Sequence, residues 1–358
     1  MSQHPLIELA NDREVRQSKG FREAAARLTG ESLAEMYQQE VANAPKRYDA
    51  GKKFLAGQKG SVPRGGATGK LHEHLSVALV NRFRSAGEGL DLPVAPAGDT
   101  LDSFAYQVPL KIRQADPDKR IGKVDLIGAI PENRLAIIVL KFVPPSATRG
   151  STGETPLRGL LEGLAYTAIV QANRSEILGE IEAAYGRKLS DEPPVLILLG
   201  NTRYWELCRK REAQKGAAWI NQMERLAQEM DDNLGIAVRY LGLKLQGDPG
   251  WEFDGDTPTL VGTPILDRAW GPGAGKVRPK AKPKAKAKSH PDDEIVEADP
   301  SRPVRSYHVT ESYASGDSIE HPTLGRGVVQ RSVGVGKIKV LFDDTPRLLI
   351  HERPLPGA

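Results

Sequence analysis

The residues best suited to chemistry are an aspartate, a lysine and a glutamate on consecutive predicted elements. Asp125 stands in the apolar run KVDLIGAI, and Lys141 stands sixteen residues later in LAIIVLKFV. Val139 and Lys141 are two residues apart, so on a strand both side chains point to one face while Leu140 points to the other. Glu73 precedes these strands on an amphipathic segment and reaches the same edge if that helix packs on the sheet.

Carboxylates and a lysine at one edge of a sheet suit the hydrolysis of phosphodiester bonds. Carboxylates hold Mg²⁺ or Mn²⁺, and a nearby lysine stabilises negative charge on the attacking water or on the phosphate. Val139 cannot ligate a metal ion, so it is the weak point of such a site. The alternative is structural, because an Asp and a Lys on neighbouring strands occur in many α/β proteins.

The elements that must position these residues follow the order helix, three strands, helix, strand, helix, strand. Apolar spacing predicts a helix over 71–84 and strands over 103–114, 123–130 and 135–143, with PENR as a hairpin connection between the last two. Thr155-Pro156 predicts the N-cap and first residue of a helix that runs to about Asn173. PPVLILLG and GIAVRYLGLKL predict two further strands, with a helix over roughly 210–231 between them. This order predicts an α/β fold with a mixed sheet flanked by helices.

From Glu73 to about Leu245 the chain resembles the PD-(D/E)xK nuclease superfamily, which has a restriction-endonuclease-like core. Glu73 matches the family's helical glutamate, Asp125 its aspartate and Lys141 its lysine. Val139 departs from the family, because it stands where the family has Glu or Asp. The resemblance implies a Mg²⁺- or Mn²⁺-dependent DNA nuclease in which Lys141, Asp125 and Glu73 are catalytic and position 139 lacks its acid.

A glutamate on the next helix offers a replacement for the missing acid. Superfamily members exist in which the acid has migrated to a neighbouring helix, and Glu162 in LLEGLAYTAIVQAN is the candidate here. The resemblance therefore implies Asp125, Glu73 and Glu162 as metal ligands. The alternative is that Glu162 is a solvated helix residue. Arg158, one turn earlier, is placed to pair with it or to contact phosphate.

Composition changes along the chain predict four segments. Residues 1–60 are predicted to form an N-terminal helical region, with helical character over about 5–58, and residues 61–267 the nuclease-like domain. Residues 268–306 are rich in Pro, Gly, Lys and acids and are predicted to be a disordered linker. Residues 307–358 are predicted to form a small all-β domain.

The net charge of +4 comes from one part of the linker. Seven cations and no acid lie between residues 276 and 288, and without them the charge is −3. Lys280, Lys282, Lys284 and Lys286 are candidates for salt-sensitive attraction to nucleic-acid phosphates. The alternative is a solvated spacer, which the interleaved Pro and Ala residues favour.

The C-terminal strands resemble the Tudor-like or SH3-like barrel of UvrD/PcrA-type helicases. The matching residues are Gly316-Asp317, His321-Pro322, Gly325-Arg326-Gly327-Val328-Val329 and Lys339-Val340-Leu341-Phe342-Asp343. The resemblance implies an adaptor without catalysis that binds a protein partner, such as RNA polymerase or a repair factor, through residues 313–353.

Composition excludes several classes of protein. Cys208 is the only cysteine, which excludes an internal disulfide and a multi-cysteine zinc site. No apolar run is long enough for a membrane span, and the first residues lack a secretory pattern, so we expect a cytoplasmic protein. Two functions stay open. One is a metal-dependent DNA nuclease, degenerate at Val139. The other is a nuclease-fold protein without catalysis that binds nucleic acid or acts as an adaptor in repair or transcription.

Overall fold

The computed structural model describes most of the 358-residue chain, namely residues 3–64, 71–87, 89–93, 96, 98–113, 118–149, 153–210, 218–271, 295–333, 336–343 and 345–352. The chain divides into two units, Met1–Arg278 and Pro279–Ala358. Among the described helices, none combines the length and the apolar character needed to cross a membrane.

A seven-stranded mixed sheet organises the first unit. Its strands are β1 (Leu90–Asp91), β2 (Thr100–Pro109), β3 (Lys123–Ile130), β4 (Arg134–Lys141), β5 (Val195–Asn201), β6 (Val238–Lys244) and β9 (Ile265–Arg268), which lie side by side in that order. Antiparallel pairing joins β2, β3 and β4, whereas β5 and β6 run parallel to β4. Strands β7 (Trp251–Asp254) and β8 (Thr257–Leu260) form a hairpin that is not hydrogen-bonded to this sheet.

Helices cover both faces of the sheet. The described helices are α1 (Pro5–Asn11), α2 (Arg13–Arg16), α3 (Phe21–Arg27), α4 (Gly30–Ala42), α5 (Leu71–Ala86), α6 (Pro156–Ala172), α7 (Arg174–Tyr185), α8 (Thr202–Lys210) and α9 (Ala218–Leu234), of which α1 to α4 pack mainly on α6 and α9. Along β4, Ile137 and Val139 join the core beneath α6, while Ile138 and Leu140 join a second core beneath α5. This alternation follows from the two-residue period of a strand buried on both faces.

The predicted order of elements around Asp125 and Lys141 is confirmed. β3 and β4 form the expected hairpin, with a 3₁₀ turn at Pro131–Asn133, and the Thr155 side chain caps α6 by accepting from the Arg158 N–H. The helix breaks at Asn173 and resumes as α7. Sequence patterns missed α8 and the strands β7, β8 and β9, each of which is only four residues long.

The helical region at the N-terminus is shorter than the sequence pattern indicates. Among the described residues of 5–58, α-helix ends at Ala42 and only a 3₁₀ turn, Tyr48–Ala50, follows. Helices α1 to α4 contribute to the same hydrophobic core as β4 and α6. Residues 3–42 are therefore packed as part of the first unit.

The predicted linker over 268–306 is too wide, because both of its ends have defined structure. Trp270 is buried and its ring packs against Trp205, Trp219 and Tyr240. At the other end, the Val296 N–H donates to Gln330, 2.8 Å away. The composition of the segment did not reveal these contacts, because it averages single apolar residues such as Trp270 with their many polar neighbours. Residues 272–294, including the lysine run, lie outside the described residues.

The second unit contains a separate five-stranded sheet. Its strands, in spatial order, are β10 (Arg305–Ser306), β11 (Ser318–His321), β12 (Gly325–Ser332), β13 (Lys337–Phe342) and β14 (Thr345–Ile350). Ile319, Val329, Ile338 and Val340 form its buried centre. The short strands predicted in the C-terminal region are confirmed as one sheet.

Candidate active site

All five predicted site positions of the first unit line one cavity of about 660 Å³. Glu73 lies in the first turn of α5, Asp125 near the start of β3, Val139 and Lys141 at the end of β4, and Glu162 on α6. The hairpin register pairs Leu126 with Ile138, which brings Asp125 beside Val139. The five positions therefore border the same cavity.

Asp125 is held in place by two hydrogen bonds. Its Oδ1 accepts from Gln107 Nε2 at 3.0 Å, and its Oδ2 accepts from the Leu140 N–H at 2.8 Å. Burial raises the pKa of Asp125, and the lowering effects of His72, Lys141 and the two hydrogen bonds do not cancel that rise. Gln107 adopts a left-handed backbone with a φ of 45°, which disfavours a non-glycine residue and marks a locally strained position beside the cavity.

Val139 belongs to the hydrophobic core although it borders the cavity. Its side chain is 1% exposed, and its Cγ2 lies 3.0 Å from the point where a Cβ at Gly163 would stand. The valine fills the space where strand β4 meets α6. Position 139 therefore contributes packing, and it offers no oxygen to the cavity.

Two glycines bring α6 close to the sheet. A Cβ at Gly159 would lie 2.7 Å from a Leu198 methyl carbon and 3.2 Å from Lys141 Cε, and one at Gly163 would lie 2.5 Å from a Leu196 methyl carbon. Because both glycines face the sheet, the helix packs directly on β4 and β5. The same approach delivers Glu162 to the cavity, so its interpretation as a solvated helix residue is wrong: its side chain is 13% exposed.

Lys141 lies between two glutamates. Its Nζ donates to Glu162 Oε2 at 3.0 Å and to Glu154 Oε2 at 2.5 Å. Arg158 completes the group, because it pairs with Glu162 at 2.7 Å and also with Glu154. We call Lys141, Glu154, Arg158 and Glu162 the ion-pair network. It contains two cations and two carboxylates, so its formal charges balance.

The network shifts the pKa values of Lys141 and Glu154. Burial alone would lower the pKa of Lys141, but Glu162 and Glu154 raise it above its ordinary value. Burial alone would raise the pKa of Glu154, but Lys141 and Arg158 bring it below its ordinary value. Lys141 is therefore a cation at neutral pH, which suits it to stabilise negative charge and makes it a poor general base.

Sequence reasoning missed Glu154 and Gln107. Glu154 immediately precedes the N-cap Thr155, a place where the helix N-terminus favours a carboxylate, so its position carried a usable signal. Gln107 carried none, because its role depends on the pairing of β2 with β3. The two histidines of α5 lie apart, as their spacing predicts: His72 borders the cavity, and His74 packs on Trp251 and Phe253.

The donors around the cavity fit a hard divalent cation in kind. Glu73, Asp125, Glu154 and Glu162 all supply carboxylate oxygens, the ligands that Mg²⁺ and Mn²⁺ prefer. They are not assembled around one centre: within the described parts of the chain, no three His, Cys, Asp or Glu side chains are spaced to hold a metal ion. Glu154 and Glu162 are instead bound by Lys141 and Arg158.

The lysines predicted to contact nucleic acid, Lys280, Lys282, Lys284 and Lys286, lie outside the described residues. Comparisons with protein families, with curated proteins and with solved structures each found no match.

Proposed function

We propose that this protein is a metal-dependent DNA nuclease of the PD-(D/E)xK type, in which Glu162 replaces the acid absent at Val139. One observation carries the proposal: Lys141 Nζ lies 3.0 Å from Glu162 in a cavity that Asp125 and Glu73 also line. The order of α5, β2, β3, β4, α6 and β5, with β2 to β4 antiparallel and β5 parallel, supports the same assignment.

Asp125, Glu162 and Glu73 would hold Mg²⁺ or Mn²⁺. When bound, such an ion supplies Lewis acidity and lowers the pKa of water. Lys141 remains protonated and stabilises negative charge on the phosphate, a role for which its contacts with Glu154 and Glu162 pre-position it. Gln107 and the Leu140 N–H orient the Asp125 carboxylate.

A plasmid-nicking assay with Mg²⁺ or Mn²⁺ tests the proposal. We expect the unaltered chain to nick the plasmid. Glu162→Gln and Lys141→Ala should each reduce the rate of nicking on the order of 100-fold, the effect of losing a metal ligand or a charge-stabilising group. Glu182→Gln is the matched control, because Glu182 is exposed on α7. Cleavage that survives Glu162→Gln would contradict the role of Glu162.

A second function is favoured by two other observations. Val139 is buried in the core without offering a ligand, and the edge strand β14 exposes Leu348 by 63% and Ile350 by 42%. An exposed edge strand can pair with a partner's extended segment. We propose as the second candidate a nuclease-fold adaptor without catalysis, which binds RNA polymerase or a repair factor through a Tudor-like or SH3-like barrel in the second unit.

Two results together would establish the adaptor. The first is that the unaltered chain does not nick the plasmid, whereas Val139→Glu nicks it when metal is present. This result would identify a nuclease site that has lost its ligand. The second is binding of purified RNA polymerase by the full chain that Leu348→Asp abolishes. Arg331→Asp is the control, because Arg331 is an exposed residue of β12, away from the β14 edge.

A further inference from the structure

Two chain segments beside the cavity carry a concentration of exposed cations. One segment spans 47–53, and the other spans 111–123, of which 111–113 and 118–123 are described. We call the described lysines and arginines of these two segments, other than the buried Arg47, the basic rim. Its members are Lys52, Lys53, Lys111, Arg113, Lys119, Arg120 and Lys123.

Within the described residues of the two segments, cations outnumber exposed acids, although Glu180 of α7 lies beside the first segment and accepts from the Phe54 and Leu55 N–H groups. Six of the rim's cations are exposed and Lys111 is half-buried, whereas Asp49 is the only exposed acid among the described residues of the two segments. Asp118 is buried and accepts a hydrogen bond from the Ile112 N–H at 3.4 Å. A surface with this balance attracts polyanions, and it does so most strongly at low salt.

A buried arginine joins the two segments. Arg47 donates through one nitrogen to the Lys53 carbonyl oxygen, 2.8 Å away, and through another to the Lys111 carbonyl oxygen. Its guanidinium also lies 5.5 Å from the centre of the Phe54 ring. Lys52 adds a further bond, from its Nζ to the Ile112 carbonyl oxygen at 2.6 Å. These contacts hold cations from two distant parts of the sequence on one surface.

The basic rim continues into the cavity. Lys111 and Lys123 line the cavity, and Lys123 begins β3 two residues before Asp125. Inside the cavity, Lys141 and Arg158 already neutralise Glu154 and Glu162, so the network does not offset the charge of the rim. Lys111 and Lys123 therefore bring the basic rim to the edge of the cavity that holds the candidate catalytic residues.

We propose that the basic rim binds the phosphate backbone of nucleic acid and leads it to the cavity. This inference rests on the proposed function and deepens it, because it assigns the surface that receives the substrate. Lysine and arginine side chains contact backbone phosphates without reading sequence, so the rim supplies affinity and register. The cations come from two chain segments, which suits an extended polymer of phosphates better than a single small anion.

Salt dependence of binding tests the proposal directly. Fluorescence anisotropy of a labelled DNA duplex is measured with the full chain at several salt concentrations, in EDTA so that no cleavage occurs. Each of Lys53→Ala, Arg120→Ala and Lys123→Ala is expected to weaken binding several-fold at low salt. Each should also reduce the slope of log K against log salt by about 1, the change expected for one lost phosphate contact.

Lys188→Ala is the matched control for loss of one positive charge. Lys188 is exposed and follows α7, and the nearby Ser190 N–H donates to the Asn133 carbonyl oxygen. Asn133 lies in the turn after β3, at the opposite end of that strand from Lys123. The control should leave the slope unchanged.

Separate outcomes would overturn this inference and the proposed function. Rim variants with the parent's slope, or equally tight and salt-sensitive binding of polyglutamate, would refute nucleic-acid binding by the rim. Salt-sensitive binding that the rim variants weaken, without cleavage in Mg²⁺ or Mn²⁺, would support the rim and contradict the nuclease. Metal-dependent cleavage by the parent, together with rim variants whose slope of log K against log salt equals the parent's, would support the nuclease and contradict the rim.

Discussion

Lys141 and Glu162 meet across the interface between β4 and α6, with Nζ 3.0 Å from Oε2. The contact depends on Gly159 and Gly163, which let the helix approach the strand. It places a carboxylate in the cavity that lacks one at position 139. The charge of Lys141 on β4 is thus balanced by a carboxylate from a different element, α6.

Introducing an acid at position 139 should lower stability unless a metal ion is present. Val139 is 1% exposed, and burying an unpaired carboxyl there is expected to lower the free energy of unfolding by about 1–3 kcal/mol. In Val139→Glu, Mn²⁺ should recover part of the loss because an ion bound only by the folded state stabilises it. Thermal unfolding with and without Mn²⁺ measures both effects.

Val139→Gln is the control for the recovery by Mn²⁺, since glutamine is similar to glutamate in size but carries no charge. The variant keeps Asp125, Glu162 and Glu73, so Mn²⁺ should recover less of its loss than in Val139→Glu, which adds a carboxylate. Equal recovery in both variants would show that the side chain at position 139 does not bind Mn²⁺.

The two glutamates of the ion-pair network should differ in their contribution to stability. Glu162 is 13% exposed and Glu154 is 30% exposed, so the Glu162 contacts are less screened by water. We expect Glu162→Gln to lower the free energy of unfolding by about 1–3 kcal/mol and Glu154→Gln by less. All four tryptophans lie in the first unit, so their fluorescence during denaturant unfolding reports that unit alone. Equal losses would contradict the ranking by burial.

The sequence was sufficient for the elements around Asp125 and Lys141 and for most of the residues that line the candidate site. Asp125 and Lys141 were predictable because strand alternation and the hairpin spacing are local properties. Gln107 was not, because its contact with Asp125 depends on the register between β2 and β3, which are separated by more than ten residues. Glu162 could be named as a candidate, but only the approach of α6 to β4 shows that it faces Lys141.

The packing of α6 on the sheet should be sensitive to a single methyl group. A Cβ at Gly163 would lie 2.5 Å from a Leu196 methyl carbon, so Gly163→Ala is expected to lower the free energy of unfolding by about 1–3 kcal/mol. Gly179 on α7 has no atom within 4 Å of its Cβ position, and Gly179→Ala should raise stability by about 0.5–1 kcal/mol through helix propensity. Tryptophan-monitored unfolding compares the two variants, and a neutral Gly163→Ala would show that α6 can move away from β4.

Asp125 should make the first unit less stable as pH rises. Burial raises its pKa in the folded state above the ordinary value of 3.8, so the folded protein retains this proton to a higher pH than the unfolded chain. Stability then falls as pH rises from about 3.8 through the raised folded pKa. Asp125→Asn removes this titration, and the amide can still accept from the Leu140 N–H if Gln107 turns its own amide.

We therefore expect Asp125→Asn to be more stable than the parent at neutral pH, with the difference shrinking toward pH 4. Other groups that titrate in this range, including Glu154 with its lowered pKa, are present in both proteins and largely cancel in the difference. Tryptophan-monitored unfolding at a series of pH values measures it. A destabilisation of Asp125→Asn that is the same at every pH would mean that the aspartate serves only as a hydrogen-bond acceptor. A gain in stability combined with lost cleavage would identify Asp125 as a residue kept for function at a cost in stability.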